Sequence, residues 1–385
     1  MGTRKYRLLT AAFAALAFGA LPAVAQTTAT APTAAATPTG GYARLGTIAI
    51  PGKPLLTYDI SFVDPVLPLY YLADRSNAGI DVFDTRSNRF LTRITGNAAA
   101  GQFAGQQASN EVSGPNGVAS AEFGWIWAGD GDSTVKVMSL FTGQAVKSVS
   151  TGGTARANEL SYDPDDHIML VANQADTPPF VSLISTRHGS ERVLARLTFD
   201  TATAGVQASV YNPHNKLFYL NVPQIGQDPT QGEVAVIDPR RAVVLTIFPV
   251  SNCQAVGMAL GPRRNLLLGC STLTNSSASP ALPTQVIQDF TGDVVATIPE
   301  VGGSDEVWYN PGNRTYFLGA RYANGGSALG IIDARTNGFL GTVPTGKGSH
   351  SVAADPVTNN VYVPLPADPA DPECLNGCIG VYGRR

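Results

Sequence analysis

Residues Val307 to Thr336, VWYNPGNRTYFLGARYANGGSALGIIDART, carry the pattern that decides the fold. The first apolar run ends at the turn tetrad Asn310–Asn313, and a second run covers Thr315–Ala320. After a loop rich in Gly and Asn, a third run covers Leu329–Asp333 and a fourth covers Phe339–Val343. β-Branched and aromatic residues enclosed by Asn, Pro and Gly favour short strands joined by turns. The three runs of this stretch and the run that follows it therefore predict a four-stranded β-meander.

The same unit recurs along the chain at intervals of about 45 to 50 residues. The interval is 49 residues from Asp163 to Asn212 and 45 residues from Asn310 to Asp355. Four strands in a repeat of this length are typical of one blade of a β-propeller. The strand-then-turn signal occurs seven times, clearly at Phe62–Pro65, Ser161–Pro164, Val210–Pro213, Trp308–Pro311 and Ala353–Pro356, and more weakly at Val118–Glu122 and Ala259–Pro262.

The last repeat begins at Ser351 and has only three strands before the sequence stops at Arg385. A spare strand, Ala43–Ala49, lies at the other end of the repeats. We therefore predict an all-β, seven-bladed β-propeller over residues 42–385, a single domain whose last blade is closed by the N-terminal strand. Ring closure limits edge-to-edge aggregation. A pair of β-sandwiches or a β-solenoid is the alternative.

Several segments resemble the YVTN-type repeats of bacterial seven-bladed propellers. They are Tyr71–Asp74 (YLAD), Leu170–Asn173 (LVAN) and the third strands that end in an apolar residue and Asp, such as Ile331–Asp333. The resemblance covers about residues 58–383. It implies the propeller fold and a group that includes periplasmic binding or accessory proteins and ring-opening lactonases. Fold alone does not choose between these functions.

The N-terminal residues predict export. Basic residues at positions 4, 5 and 7, an apolar run over 8–24 and the small-residue site Ala23–Ala25 indicate a signal peptide over 1–25 rather than a retained membrane anchor. Residues 26–41 read as a disordered Thr/Ala/Pro linker. We expect a periplasmic or secreted monomer with no transmembrane segment after cleavage. Without the three leader cations, 23 basic residues face 29 acidic ones, which argues against a nucleic-acid partner.

Four cysteines in an oxidising compartment are expected to form disulfides. Cys253 and Cys270 flank one predicted hairpin, and Cys374 and Cys378 flank a short loop. Two local disulfides are thus favoured among the three possible pairings.

In a propeller the innermost strands line a central channel, and polar residues begin these strands in most of the repeats. Two neighbouring positions contribute Asp59, Asn158, Glu159, Gln207, Asp305, Glu306 and His350, with Asn116 from blade two by a looser alignment. The alignment leaves open whether Asp59 matches Asn158 or Glu159. Loops between second and third strands add a rim that includes Arg75, Asp176 and Arg321.

These positions suggest three roles. Asp59, Glu159, Asp305 and Glu306 offer hard oxygen ligands for Ca²⁺ or another divalent cation, although a water-filled channel also explains a polar lining. His350 and Glu306 are candidate catalytic residues, as general bases. Asn116, Asn158, Gln207, Asp176 and Arg321 are candidate ligand-binding residues, and Arg321 suits a carboxylate.

The functional prediction is an exported protein that binds a small molecule or a protein partner at the loop-rich channel mouth. Longer loops at Gln224–Gly232, Ser271–Pro283 and Ala367–Asn376 are expected on this face. One alternative is a metal-assisted hydrolase of lactone-like substrates. Another is a docking partner of a periplasmic redox enzyme.

Overall fold

The structure, a computed structural model, describes residues 39–385. The predicted signal peptide, and the predicted linker as far as residue 38, lie outside the described residues. The described chain forms seven antiparallel sheets of four strands each. The innermost strands of consecutive sheets are in contact, and the first also contacts the seventh, which closes the ring of a seven-bladed β-propeller. The predicted fold class is confirmed.

Each of the first six blades is a meander whose strands pair in chain order. Blades one to seven comprise β2 (Ser61–Val63), β3 (Leu69–Asp74), β4 (Gly79–Asp84), β5 (Arg89–Thr95); β6 (Val118–Ser120), β7 (Trp125–Gly129), β8 (Thr134–Ser139), β9 (Gln144–Ser150); β10 (Leu160–Asp163), β11 (Ile168–Asn173), β12 (Phe180–Ser185), β13 (Arg192–Thr198); β14 (Ser209–Asn212), β15 (Leu217–Val222), β16 (Gln231–Asp238), β17 (Val243–Ser251); β18 (Ala255–Leu260), β19 (Asn265–Cys270), β20 (Thr284–Gln288), β21 (Val294–Ile298); β22 (Val307–Asn310), β23 (Thr315–Ala320), β24 (Ala328–Asp333), β25 (Gly338–Pro344); and β26 (Ala353–Ala354), β27 (Val361–Leu365), β28 (Cys378–Arg384), β1 (Tyr42–Ala49). Two short 3₁₀ helices, η1 (Asn110–Val112) and η2 (Pro262–Arg264), lie in connections.

The seventh blade is completed by β1, as predicted. β1 pairs antiparallel with β28 from Tyr42 opposite Arg384 to Ala49 opposite Cys378. Upstream of β1, Thr39 forms a bridge to Gly341 of blade six. Thr39, near the end of the segment predicted as linker, therefore contacts the neighbouring blade.

The core consists of apolar layers between neighbouring blades. The second and third strands of a blade are buried on both faces, as β11 and β12 are along their whole length. Outer strands alternate instead, as β13 does between exposed and half-buried residues. Because each fully buried large apolar side chain stabilises the fold by about 1.5–3 kcal/mol, these inner layers hold the ring together.

Hydrogen bonds at the start of each innermost strand fix the register around the channel. Asp59 N–H donates to the Ala73 carbonyl, and Ala73 N–H donates back to Ile60. The same exchange joins Asn158, Ala172 and Glu159. Asp59 therefore aligns with Asn158, and Ile60 aligns with Glu159.

Blades six and seven approach closely beside the channel. A Cβ atom on Gly319 would lie 2.5 Å from the carbonyl oxygen of His350, so only glycine permits this spacing. The Glu306 N–H donates to the same carbonyl at 2.9 Å. These contacts fix the backbone from which the His350 side chain enters the channel.

Both predicted disulfides are present. Cys253 bonds to Cys270 across the β18–β19 hairpin, and Cys374 bonds to Cys378. The first lies next to the loop 271–283, and the second lies where β28 begins.

Candidate functional site

A cavity of about 510 Å³ occupies one mouth of the channel. It is lined by the residues that precede the innermost strands and by loops between second and third strands. Eight of the predicted site residues meet there: Asp59, Asn158, Glu159, Gln207, Asp305, Glu306, Arg321 and His350. Asn116 and Asp176 are not among its lining residues.

Asp59 is the centre of a cluster of basic groups. Its carboxylate forms a close ion pair with Arg75, lies 3.5 Å from Arg156 Nη1 and lies 3.8 Å from His350 Nε2. Burial opposes ionisation of Asp59, but Arg75, His350 and Arg156 outweigh that effect and lower the pKa of this carboxyl. Asp59 is therefore a fixed negative charge that holds two arginines in place.

A second ion pair lies on the other side of the mouth. Arg321 Nη1 lies 3.4 Å from Asp305 Oδ2. Burial opposes the charge on Arg321, but Asp305, Asp59 and two nearby tyrosines together outweigh burial and raise the pKa of the guanidinium. Lys347 also lines the cavity and has no carboxylate within 4.0 Å among residues 39–385. The mouth thus contains four basic side chains, those of Arg75, Arg156, Arg321 and Lys347, beside Asp59 and Asp305.

His350 has a fixed ring orientation. Its imidazole stacks on Tyr58 with ring centroids 4.4 Å apart and planes 2° apart. Nδ1 lies 2.8 Å from the carbonyl oxygen of Gly348, to which it donates as the N–H tautomer. This leaves Nε2 directed towards Asp59 and the cavity.

Glu159 and Glu306 form the floor of this mouth. They come from blades three and six, as the strand alignment predicts for opposite sides of the channel. Burial, followed by the nearby carboxylates of Asp59 and Asp305, raises the pKa of Glu159 to about 8. Burial and Glu159 raise the pKa of Glu306 well above its ordinary value. The two carboxyl groups therefore hold at least one proton near neutral pH.

Asn116 and Asp176 support the mouth from behind. Asn116 is fully buried, accepts a 3.1 Å hydrogen bond from Arg75 Nε and donates to the Ala157 carbonyl. Asp176 accepts hydrogen bonds from the backbone and hydroxyl of Thr154, in the loop that carries Arg156. Both predicted ligand-binding residues therefore position arginine-bearing segments.

The predicted cation ligands do not converge on one point. Within residues 39–385, no group of three or more His, Cys, Asp or Glu side chains is arranged to hold a metal ion. Guanidinium groups occupy Asp59 and Asp305 instead. The predicted Ca²⁺ or other divalent cation stays a prediction.

Several polar atoms in the mouth have no partner. Among residues 39–385, Asn158 Oδ1 and Arg156 Nε are buried without a hydrogen bond. Asn158 Nδ2 donates to Gln174, and Arg156 Nε lies 3.8 Å from the Glu111 carboxylate. Buried polar groups usually have partners, and an unpaired one is costly. These atoms are available to a polar ligand.

Arg156 was missed from the sequence, although a signal exists. It lies two residues before Asn158, and the equivalent residues, including Thr57, Gly303 and Gly348, are uncharged. A single charge at one repeat position marks a departure from the structural pattern. Arg75 and Arg321, which were predicted on the rim, occupy equivalent positions directly after the second strand of their blades.

The fold and the channel place the protein in the class of seven-bladed β-propellers, which commonly serve as binding or interaction scaffolds. No protein-family model matches the chain, and no curated protein matches it. It is similar in structure to hydrazine synthase from Kuenenia stuttgartiensis, with a TM-score of 0.65 and 14% identity over 88% of this chain and 99% of that one. It is also similar to a chain in a crystal structure of the mitotic checkpoint complex, with a TM-score of 0.62 and 13% identity over 96% and 98% of the two chains.

At these identities the similarities show the fold alone. The resemblance to YVTN-type repeats stays a prediction, because no protein-family model matches the chain. Over residues 39–385, the structure contains no helix long and apolar enough to cross a membrane.

Proposed function

We propose that this propeller is an extracytoplasmic binding protein whose basic channel mouth captures a small carboxylate ligand. The observation that carries the proposal is the excess of basic side chains in one cavity. Arg75, Arg156, Arg321 and Lys347 line the cavity with Asp59 and Asp305, Glu111 lies 3.8 Å from Arg156 outside the lining, and the two glutamates below hold at least one proton. Such a cavity attracts anions and offers guanidinium groups that pair with carboxylates in two-point geometry.

The arginines are held before any ligand arrives. Arg75 donates to Asn110 at 2.6 Å and to Asn116 at 3.1 Å, and only 5% of its side chain is exposed. A preorganised site loses less conformational entropy on binding. The cavity volume lies within the range of small-molecule sites.

The proposed location is the periplasm or the exterior. Two disulfides are consistent with an oxidising compartment. The signal peptide predicted over residues 1–25 would deliver the chain there.

Calorimetry tests the proposal with matched ligands. Citrate and succinate should bind the purified protein, and succinamide, which lacks the charge, should not. Arg321→Gln should weaken binding about tenfold, which corresponds to about 1.4 kcal/mol. Arg335→Gln is the control, because Arg335 is exposed and pairs only with Asp333. Failure of every carboxylate to bind at millimolar concentration, or unchanged binding by Arg321→Gln, would reject the proposal.

A hydrolase of lactone-like substrates is the second candidate, and the orientation of His350 favours it. With Nδ1 bonded to Gly348, Nε2 is free to accept a proton from water in the cavity. Lactone hydrolysis that His350→Ala abolishes would support this candidate. Metal analysis of the purified protein tests the predicted Ca²⁺ or other divalent cation separately.

A protein partner at the same face is tested by shortening the loop 271–283, with capture of the partner as the measurement. Docking to a periplasmic redox enzyme stays a prediction, and no particular residue supports it.

A further inference from the structure

A second cavity, of about 680 Å³, lies on the opposite side of Glu159 and Glu306. These two residues line both cavities and divide the channel between them. The second cavity is largely apolar, and Val66 and Phe123 at its opening are 73% and 61% exposed. Its aromatic walls include Phe62, Tyr162, Tyr211, Trp308 and Tyr309.

The charged groups of this cavity are all acidic. Its lining residues include Asp64, Glu122, Glu159 and Glu306 and contain no Lys, Arg or His. Asp64 accepts hydrogen bonds from its own turn and from Tyr71, and Glu122 pairs with His167. The two inner glutamates are the acids without such a partner on this side. The channel is therefore basic at one mouth and acidic at the other.

Glu159 is as deeply buried as Asp64 but lacks its hydrogen bonds from a turn. Its exposed fraction is 6%, and the carboxyl of Glu306 lies nearby. A buried carboxyl among other carboxyls is short of counter-charge, and Arg156 is the one basic group among those that shift the pKa of Glu159. A cation that reached the inner end of the apolar cavity would supply that counter-charge.

Aromatic rings surround the path to these carboxyls. Phe62 and Trp308 meet edge to face with ring centroids 5.4 Å apart, from blades one and six. Ring faces attract organic cations, and the surrounding apolar walls remove water from the body of the ligand. An apolar anion would be repelled by the glutamates, and a neutral apolar ligand would leave them without a partner.

We propose that this cavity is a second binding site, for an organic amine with an apolar body, whose ammonium group contacts Glu159 and Glu306 while its body packs against Phe62 and Trp308. The site is separate from the carboxylate site in the basic mouth. Each of the two proposals can therefore fail without the other.

Three probes of equal size test the charge preference by calorimetry: 4-phenylbutylamine, 4-phenylbutan-1-ol and 4-phenylbutanoate. The amine should bind at least about tenfold more tightly than the alcohol, as a buried charged contact predicts, and the anion should bind most weakly. Equal binding of amine and alcohol would overturn the proposal.

Two isosteric variants locate the site. Glu159→Gln and Glu306→Gln should each weaken amine binding about tenfold and leave alcohol binding unchanged. Arg321→Gln, in the basic mouth, should leave amine binding unchanged. Circular dichroism confirms that each variant is folded, and either variant is sufficient if the other misfolds. Full amine affinity in both folded glutamine variants would reject the assignment.

Discussion

The carboxyl groups of Glu159 and Glu306 approach each other at the level that divides the polar cavity from the apolar one. They arrive from blades three and six, which the ring places on opposite sides of the channel. Burial and nearby carboxylates raise the pKa values of both glutamates. Near neutral pH the pair therefore keeps a proton that two exposed glutamates would lose. The shared proton explains how two acids coexist in a narrow channel.

This pair should make the protein less stable as pH rises from 5 to 8. The pKa of Glu159 is 4.5 in an unperturbed chain and about 8 in the fold, so the folded state binds more protons across this range. The free energy of unfolding then falls by up to about 1.4 kcal/mol per pH unit for each proton. Asp59 has a lowered pKa, so its contribution is lost only at more acidic pH.

Urea unfolding of Glu159→Gln at pH 5, 6, 7 and 8 measures the effect. The variant should gain stability relative to wild type as pH rises, because glutamine cannot ionise. Glu306, Asp59, Asp305 and Arg156 face Glu159, and all remain in the variant. Glu300→Gln, at an exposed position, is the control: its stability relative to wild type should not change with pH. A constant difference for Glu159→Gln as well would contradict the raised pKa.

Arg75→Met should destabilise the fold strongly. Arg75 is 5% exposed, and its loss leaves the 15%-exposed Asp59 carboxylate short of its main counter-charge. Removal of one partner of a buried pair costs about 3–5 kcal/mol. Urea unfolding at pH 7 should show this loss, and Arg75→Met with Asp59→Asn should recover part of it. If Arg75→Met alone were as stable as wild type, the ion pair of Arg75 and Asp59 would not stabilise the fold.

The repeat made the fold predictable, because each turn signal marks the end of an innermost strand. Val307–Asn310 and Thr315–Ala320 are strands within a residue of the bounds that their apolar runs suggested. The channel positions followed from the same spacing, and eight of the predicted residues meet at one mouth.

The contacts that hold the arginines were not predictable, because several of them come from a segment outside the repeat. Arg75 is fixed by Asn110, which lies in the connection between β5 and β6, and the Arg156 backbone bonds to Glu111 in the same connection. A connection without strand or turn periodicity gives no spacing from which a contact can be inferred. Arg75 and Arg321 were predicted on the rim, but their pairing with Asp59 and Asp305 was not.

The Cys253–Cys270 disulfide should stabilise the protein more than the Cys374–Cys378 disulfide. Their sequence separations are 17 and 4 residues, and a longer closed loop restricts the unfolded chain more. Replacement of Cys253 and Cys270 by alanine should cost about 3 kcal/mol. Urea unfolding with and without a reductant compares each double variant with wild type. Equal losses from the two disulfides would show that loop length does not set their contributions.

Tyr42, in the strand that closes the ring, should contribute strongly to stability. Tyr42 is 2% exposed, packs edge to face on Phe317 at 5.5 Å, and its hydroxyl accepts a hydrogen bond from Asn313. It thereby joins the outer strand of blade seven to blade six. Tyr42→Ala removes a large buried ring and should cost about 3–5 kcal/mol in urea unfolding. Leu45→Ala, on the same strand but 51% exposed, is the matched control and should change little.

Deletion of residues 42–49 should have a larger effect than either substitution, because it leaves the pairing groups of β28 without a partner along their length. An unpaired strand edge promotes association between molecules. We therefore expect loss of the cooperative unfolding transition, and aggregation on size-exclusion chromatography. A monomeric deletion variant that unfolds as wild type does would show that the ring is stable without this strand, and blade seven would then need only three strands.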